Sequence, residues 1–112
     1  MKKIEAIIQP FRLDDVMNAL WEIGVEGMTV TEVKGHGRQS GHPVVYRGQE
    51  YQADLLHKTK VEVVVGDSDC DAAITAISKA ARTGHAGDGK IFVIDMPEVI
   101  RIRNLQRNEA AL

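Results

Sequence analysis

The chain is short of the residues that build secreted, membrane-spanning or nucleic-acid-binding proteins. Its 112 residues include one cysteine, one tryptophan, two phenylalanines, two tyrosines and three prolines, and 14 Lys and Arg stand against 16 Asp and Glu. Cys70 has no partner in the chain, which sets aside a disulfide scaffold and fits a reducing, cytoplasmic address. A net charge of -2 argues against a general nucleic-acid binder, which needs a basic excess to neutralise phosphates. No apolar run approaches the ~18 residues of a membrane span. The basic start, Met1-Lys2-Lys3, meets Glu5, Gln9, Pro10 and Arg12 before any signal-peptide apolar region develops. Catalytic and metal signals are equally sparse: Ser40 has no evident Asp-His arrangement, and His36, His42, His57 and His85 lack metal-ligand spacing. One domain spanning 1–112 is expected, large enough to bury a core without staples.

What is present is periodicity. Ile4, Ala6 and Ile8 alternate with Glu5, Ile7 and Gln9 until Pro10, which predicts a strand over 3–9. Leu13, Val16, Met17, Leu20 and Ile23 recur at helical spacing, with Asp14 and Asp15 in the first turn and Gly24 past the end. Alternation returns over 28–34, and again over 59–66, where Val61, Val63 and Val65 share a face. Ser68-Asp69-Cys70-Asp71 has the spacing of a capped helix start, and Cys70, Ala73, Ile74, Ile77 and Ala81 carry a second helix toward Arg82 and Gly84. Residues 90–94 predict a fourth strand and 99–103 a further extended piece. The order β-α-β-β-α-β predicts an α+β, ferredoxin-like sandwich with two helices on one face of an antiparallel sheet. Ile7, Val64 and Phe92 then fall on the other face, which predicts a homo-oligomer covering it.

Three segments depart from what such a scaffold needs. The first is the connection over 36–55, opening with Gly35-His36-Gly37-Arg38-Gln39-Ser40-Gly41, about twenty residues where a hairpin spends 2–5. Its Tyr46, Arg47 and Tyr51 read as recognition residues. The second, 82–90, contains Gly84 to Lys90 in G-x-x-x-x-G-K spacing, but Ile91 replaces the Ser or Thr that magnesium needs, and the segment leaves a helix to enter a strand. A P-loop fold is therefore rejected. Two readings stay open: glycines that let backbone N–H groups and Lys90 converge on an anion, or a helix C-cap followed by an Asp-Gly turn. The third is Arg101-Ile102-Arg103, whose guanidinium groups would share a face of an extended chain and suit a polyphosphate, or simply be solvated. Together with Arg38, Lys58 and Lys90 they suggest a nucleotide triphosphate site.

With these motifs in view the chain resembles the PII signal-transduction family of nitrogen regulatory proteins. The resemblance runs from Met1 to Leu112. It is carried by Met28-Thr29-Val30-Thr31-Glu32-Val33-Lys34-Gly35, by Tyr46-Arg47-Gly48 with Glu50-Tyr51, by Lys79-Ala80-Ala81-Arg82-Thr83-Gly84 through Gly87-Asp88-Gly89-Lys90-Ile91-Phe92-Val93, and by Val99-Ile100-Arg101-Ile102-Arg103. It implies a homotrimer that binds ATP or ADP between subunits, with 2-oxoglutarate and Mg beside the ATP. Nucleotide contacts are expected at Ile7, Gly35, Gly37, Arg38, Val64, Gly87, Asp88, Gly89, Lys90, Arg101 and Arg103. The resemblance assigns Gln39, Ser40, Gly41, Lys58 and Gly87 to 2-oxoglutarate, and Gln39 also to the metal.

The resemblance further implies that 36–55 is a T-loop, 82–90 a phosphate-binding loop and 101–112 a C-terminal segment. Tyr51 stands at the family's modified tyrosine, a target for a nucleotidylyltransferase, whereas Gln49 excludes phosphorylation at the position some relatives modify. Tyr46 and Arg47 are the expected contacts to an ammonium transporter or to nitrogen-metabolism enzymes, the first of which would bring the chain to a membrane reversibly. Ser40, Pro43 and Val44 depart from the commonest family residues in the loop, as do Gln9, His57, Asn104 and Leu105 elsewhere. The implied activity is a non-enzymatic sensor whose loop responds to bound ligand. A slow ATPase and a metal-tolerance trimer of the same fold are the rivals.

Overall fold

Strand β1 (Lys2–Ile8) alternates as its sequence requires: Ile4, Ala6 and Ile8 are buried while Glu5 and Ile7 face the other way. The computed structural model describes residues 1–36 and 55–112, together with the backbone of 43–46 and 49–52. After a 3-10 turn at Pro10–Arg12, helix α1 (Leu13–Glu22) carries Asp14 and Asp15 in its first turn and is followed by Gly24 at φ +86°. Strand β2 (Thr29–Gly35), a hairpin of β3 (Pro43–Tyr46) and β4 (Gln49–Gln52), β5 (Leu56–Val65), α2 (Cys70–Ala81) and β6 (Lys90–Asp95) complete the order. The main sheet is antiparallel, in the order β2-β5-β1-β6. It is the α+β arrangement that the alternating pattern predicts.

The core lies between the sheet and the two helices. Val61, Val63 and Val65 of β5 meet Val16 and Leu20 of α1 and Cys70, Ala73, Ile77 and Ala81 of α2. Cys70 is a buried apolar member of this layer. The buried stripe of α1 is narrower than its periodicity suggests, since Met17 and Ile23 are exposed. The capped start expected at Ser68–Asp71 is replaced by a 3-10 turn at Asp67–Asp69, and no side chain caps the first turn of α2.

Three further expectations change. The long connection contains a strand pair, with Val44 opposite Tyr51 and Val45 opposite Glu50 in the backbone register. Strand β5 starts at Leu56, three residues before its alternation becomes clear, because His57 and Lys58 pair with Lys34 and Val33. The segment after Pro97 does not continue as a strand: Ile100 bridges Arg107, Leu105 N donates to Arg101 O and Leu105 sits at φ +58°.

The register identifies the residues on the open face of the sheet. Lys3, Glu5 and Ile7 line up with Val64, Glu62 and Lys60, and Glu5 also lies beside Phe92. The middle of this face is a charge ladder rather than an apolar surface. Lys3 Nζ lies 3.1 Å from Glu5 and 3.0 Å from Glu62, and Lys60 Nζ lies 3.0 Å from Glu62. These hydrogen bonds hold the Glu62 carboxyl below its ordinary pKa. Apolar groups remain along the β6 edge, with Phe92 47% and Ile94 43% exposed.

Candidate functional site

The loop over 82–90 is built by its own carboxylate. Leaving α2, the chain needs acceptors for the N–H groups of Thr83 and Gly84, and Asp88 supplies them at 2.9 Å each while also accepting from the Thr83 hydroxyl. These hydrogen bonds hold Asp88 below the usual aspartate pKa, the Thr83 hydroxyl having the largest effect. Of the two readings of the segment, the turn at the helix end is the one observed. Asp88 closes a turn at the helix end, and the turn leaves Gly84, Gly87 and Gly89 at φ +88°, +96° and +100°.

Gly89 is fixed by space as well as by dihedral. A Cβ there would lie 1.6 Å from the Ile7 carbonyl oxygen, so only glycine lets the loop press against β1. This contact sets Lys90 opposite Ile7 at the start of β6 with an exposed side chain. A cleft of about 140 Å³ lies beside it, bordered by Ile7, Asp88, Gly89, Lys90 and the end of α2.

Lys58 reaches the same loop from β5. Its Nζ donates to the Gly87 carbonyl at 2.9 Å, its side chain is buried, and Gly35 packs on its stem, with a Cβ position 3.7 Å from Lys58 Cγ. Burial pushes the Lys58 pKa down, and the negative charge of Asp88 partly offsets this. A second donor reaches the same carbonyl: Gln9 Nε2 lies 2.9 Å from Gly87 O. Ile7, Gly35, Lys58, Gly87, Asp88, Gly89 and Lys90 thus gather at one end of the sheet, as a single site requires.

The remaining cations do not join them. Val64 lies six residues beyond Lys58 on β5, roughly 20 Å away at about 3.3 Å per residue. It lines a groove of about 530 Å³ that also includes Lys3, Gly27, Thr29, Glu62 and Leu112. Arg101 is on that side: its guanidinium donates to Gln106 Oε1 at 2.7 Å and lies 3.5 Å from the Leu112 carbonyl. Because 101–104 turn, the shared face predicted for Arg101 and Arg103 from extended-chain spacing does not form; Arg101 is half-buried and Arg103 exposed. Within one chain the predicted phosphate contacts therefore fall into two separate groups.

The side chains of Gly37, Arg38, Gln39, Ser40, Gly41, Tyr46, Arg47 and Tyr51 lie outside the described residues. Among the described ones, sequence reasoning missed Thr83, the partner of Asp88, and the role of Gln9. Thr83 carries a weak signal, a hydroxyl just past a helix end with an Asp-Gly pair five residues on. Gln9 carries none beyond its place before Pro10.

A four-stranded antiparallel sheet backed by two helices, with a glycine-rich loop stapled by aspartate and a buried lysine beside it, defines a small α+β protein of the ferredoxin-like kind. Comparison with known proteins makes the assignment specific. The family model described as Nitrogen regulatory protein P-II matches residues 1–106. The chain is 57% identical to Nitrogen regulatory protein P-II 1 of Escherichia coli (strain K12) and 58% identical to Nitrogen regulatory protein P-II of Pasteurella multocida (strain Pm70), in each case over 112 residues that cover both chains completely. The chain belongs to the P-II nitrogen regulatory protein family, whose members are signal-transduction proteins. No described helix is long and apolar enough to cross a membrane.

Proposed function

We propose that this chain senses adenine nucleotide and 2-oxoglutarate, and that it regulates nitrogen-metabolism targets through the loop over 36–55. The observation that carries the reading is the pre-formed turn at 82–90: its carboxylate is satisfied internally, and its glycines and exposed Lys90 border the cleft beside Ile7. An anion arriving there meets the Lys90 cation and glycine backbone, while the Asp88 carboxylate is turned to Thr83 and Gly84. Arg101, Arg103 and Val64 are too far along the same chain to reach that anion, so a second copy supplies them. In this reading ATP or ADP lies between neighbouring copies of a homotrimer, and the partly apolar open face is where the copies meet.

Lys58 takes a carboxylate of 2-oxoglutarate, since a buried ammonium gains more from an anion than from a neutral carbonyl. Gln39, outside the described residues, is assigned to Mg by resemblance alone. Ligands act through differential binding to two loop states, which makes the chain a cytoplasmic regulator rather than an enzyme. Tyr46 and Arg47 contact an ammonium transporter or an enzyme in one of those states, and Tyr51 is open to nucleotidylylation.

Calorimetric titration tests this reading. ATP binds alone, and 2-oxoglutarate binds the Mg-ATP-loaded protein more tightly than the free one, each tightening the other by the same factor, about tenfold or more. Absence of nucleotide binding, or 2-oxoglutarate binding that ignores nucleotide, overturns it.

A further inference from the structure

The carbonyl of Gly87 has two lone pairs and accepts from two side-chain donors. Lys58 Nζ and Gln9 Nε2 both lie 2.9 Å from it, one from β5 and one from the residue after β1. We propose that Gln9 is a positioning residue, a second hold on the 82–90 loop that keeps Gly87 in place when Lys58 is drawn to an anionic ligand. The identity of that ligand as a dicarboxylate rests on the function proposed above; the double hold itself does not.

The two donors differ in what an anion can do to them. Lys58 carries its charge on a flexible four-carbon stem, buried against Gly35, and a carboxylate offers it a stronger, charge-assisted hydrogen bond than a peptide carbonyl does. The Gln9 amide is neutral and has no comparable reason to leave. Its backbone is also pre-set: Pro10 follows it, and Gln9 sits at φ -66° and ψ 136°, in the region that a residue before proline favours. The strand leading to it is anchored by Ile8 in the core and by the close approach of Gly89 to Ile7. Lys58 alone would make the loop depend on the ligand state of Lys58. With Gln9 present, the turn that borders the nucleotide cleft keeps its shape while Lys58 changes partner.

Hydrogen-deuterium exchange of the 82–90 amides, in the full-length protein without ligand, tests the double hold. Gln9→Met and Lys58→Met each remove an N–H donor at nearly constant volume. Each alone is expected to change exchange less than about twofold, and the double variant to speed it about tenfold or more, because the two donors cover for one another. Gln9→Lys in the Lys58→Met background keeps a donor at position 9 and is expected to keep the protection that Gln9→Met loses there. Thermal melts of all variants confirm that the fold is retained. A Lys58→Met variant that already exchanges as fast as the double one, or a double variant no faster than wild type, overturns the proposal. No ligand enters this arm, so a wild-type protein that fails to bind 2-oxoglutarate would sink the functional reading and leave the double hold to be decided by exchange.

Discussion

The loop over 82–90 and the segment over 98–112 both present cations beside turns, and they are finished to different degrees. In the loop the groups that shape the turn are spent within the chain: Asp88 holds Thr83 and Gly84, Gly89 presses on Ile7, and Gly87 accepts from Lys58 and Gln9. The C-terminal segment also satisfies its polar groups, through Arg101 with Gln106 and Asn108 N with Val99 O, but leaves Ile102 95% and Leu105 72% exposed. A turn closed by contacts within its own chain keeps its shape without a partner. A turn that exposes its apolar side chains fits a surface completed by another copy.

The comparison breaks most sharply at Gly89. Gly89→Ala places a methyl on the Ile7 carbonyl at φ +100°, and a loss of about 3 kcal/mol or more is expected in denaturant unfolding. Gly24→Ala, also at positive φ but with nothing within 4 Å of its Cβ, isolates the dihedral cost at about 1 kcal/mol. Equal losses for the two would mean that loop and strand do not press together. On the other side of the comparison, Phe92→Asp puts a charge on the open face where Phe92 is half-exposed. Light scattering is expected to show the particle mass falling toward one chain while the unfolding midpoint of that chain changes little. An unchanged mass would place the assembly surface elsewhere.

Acid should loosen the loop before the core. The Asp88 pKa is depressed by bonds made only in the folded chain, so its contribution to stability is complete above the ordinary aspartate value of 3.8 and is lost as pH falls through the lower folded value. Exchange of the Thr83 and Gly84 amides, corrected for intrinsic rates, is expected to rise in that acid range while Ile77 in α2 stays protected. Asp88→Asn, which cannot titrate, removes the step; a step that persists in this variant would assign it to another group.

The scaffold was legible because it rests on local periodicity. Val61, Val63 and Val65 alternate, Cys70, Ala73, Ile77 and Ala81 recur at helical spacing, and all are buried in the core. The first residues of β5 were not legible, since His57 and Lys58 break the pattern and join the sheet only through pairing with β2. The hairpin of β3 and β4 was missed because two four-residue strands carry too little alternation to stand out from a polar loop. The open face misled in another way: Ile7, Val64 and Phe92 suggested an apolar surface, whereas cross-strand neighbours place Lys3, Glu5, Lys60 and Glu62 in one charge ladder between them. Half of the candidate site was readable as motif in 82–90. Its side-chain hydrogen bonds to the ends of β1 and β5 come from Gln9 and Lys58, which are distant in sequence and meet at one carbonyl.

The central claim is that the two cationic groups, separated along one chain, complete one site across two copies. Co-assembly of complementary variants tests it directly. Lys90→Ala damages one half, and Arg101→Ala with Arg103→Ala damages the other, and homogeneous preparations of either are expected to lose most nucleotide affinity. In mixed trimers purified through two tags after co-expression, about one third of the clefts draw an intact half from each of two neighbours, whichever variant is present in two copies. Recovery of high-affinity ATP binding at about that stoichiometry is the predicted result. Mixed assemblies that recover none, with both parent variants folded and assembled, would show that the two groups do not meet across copies.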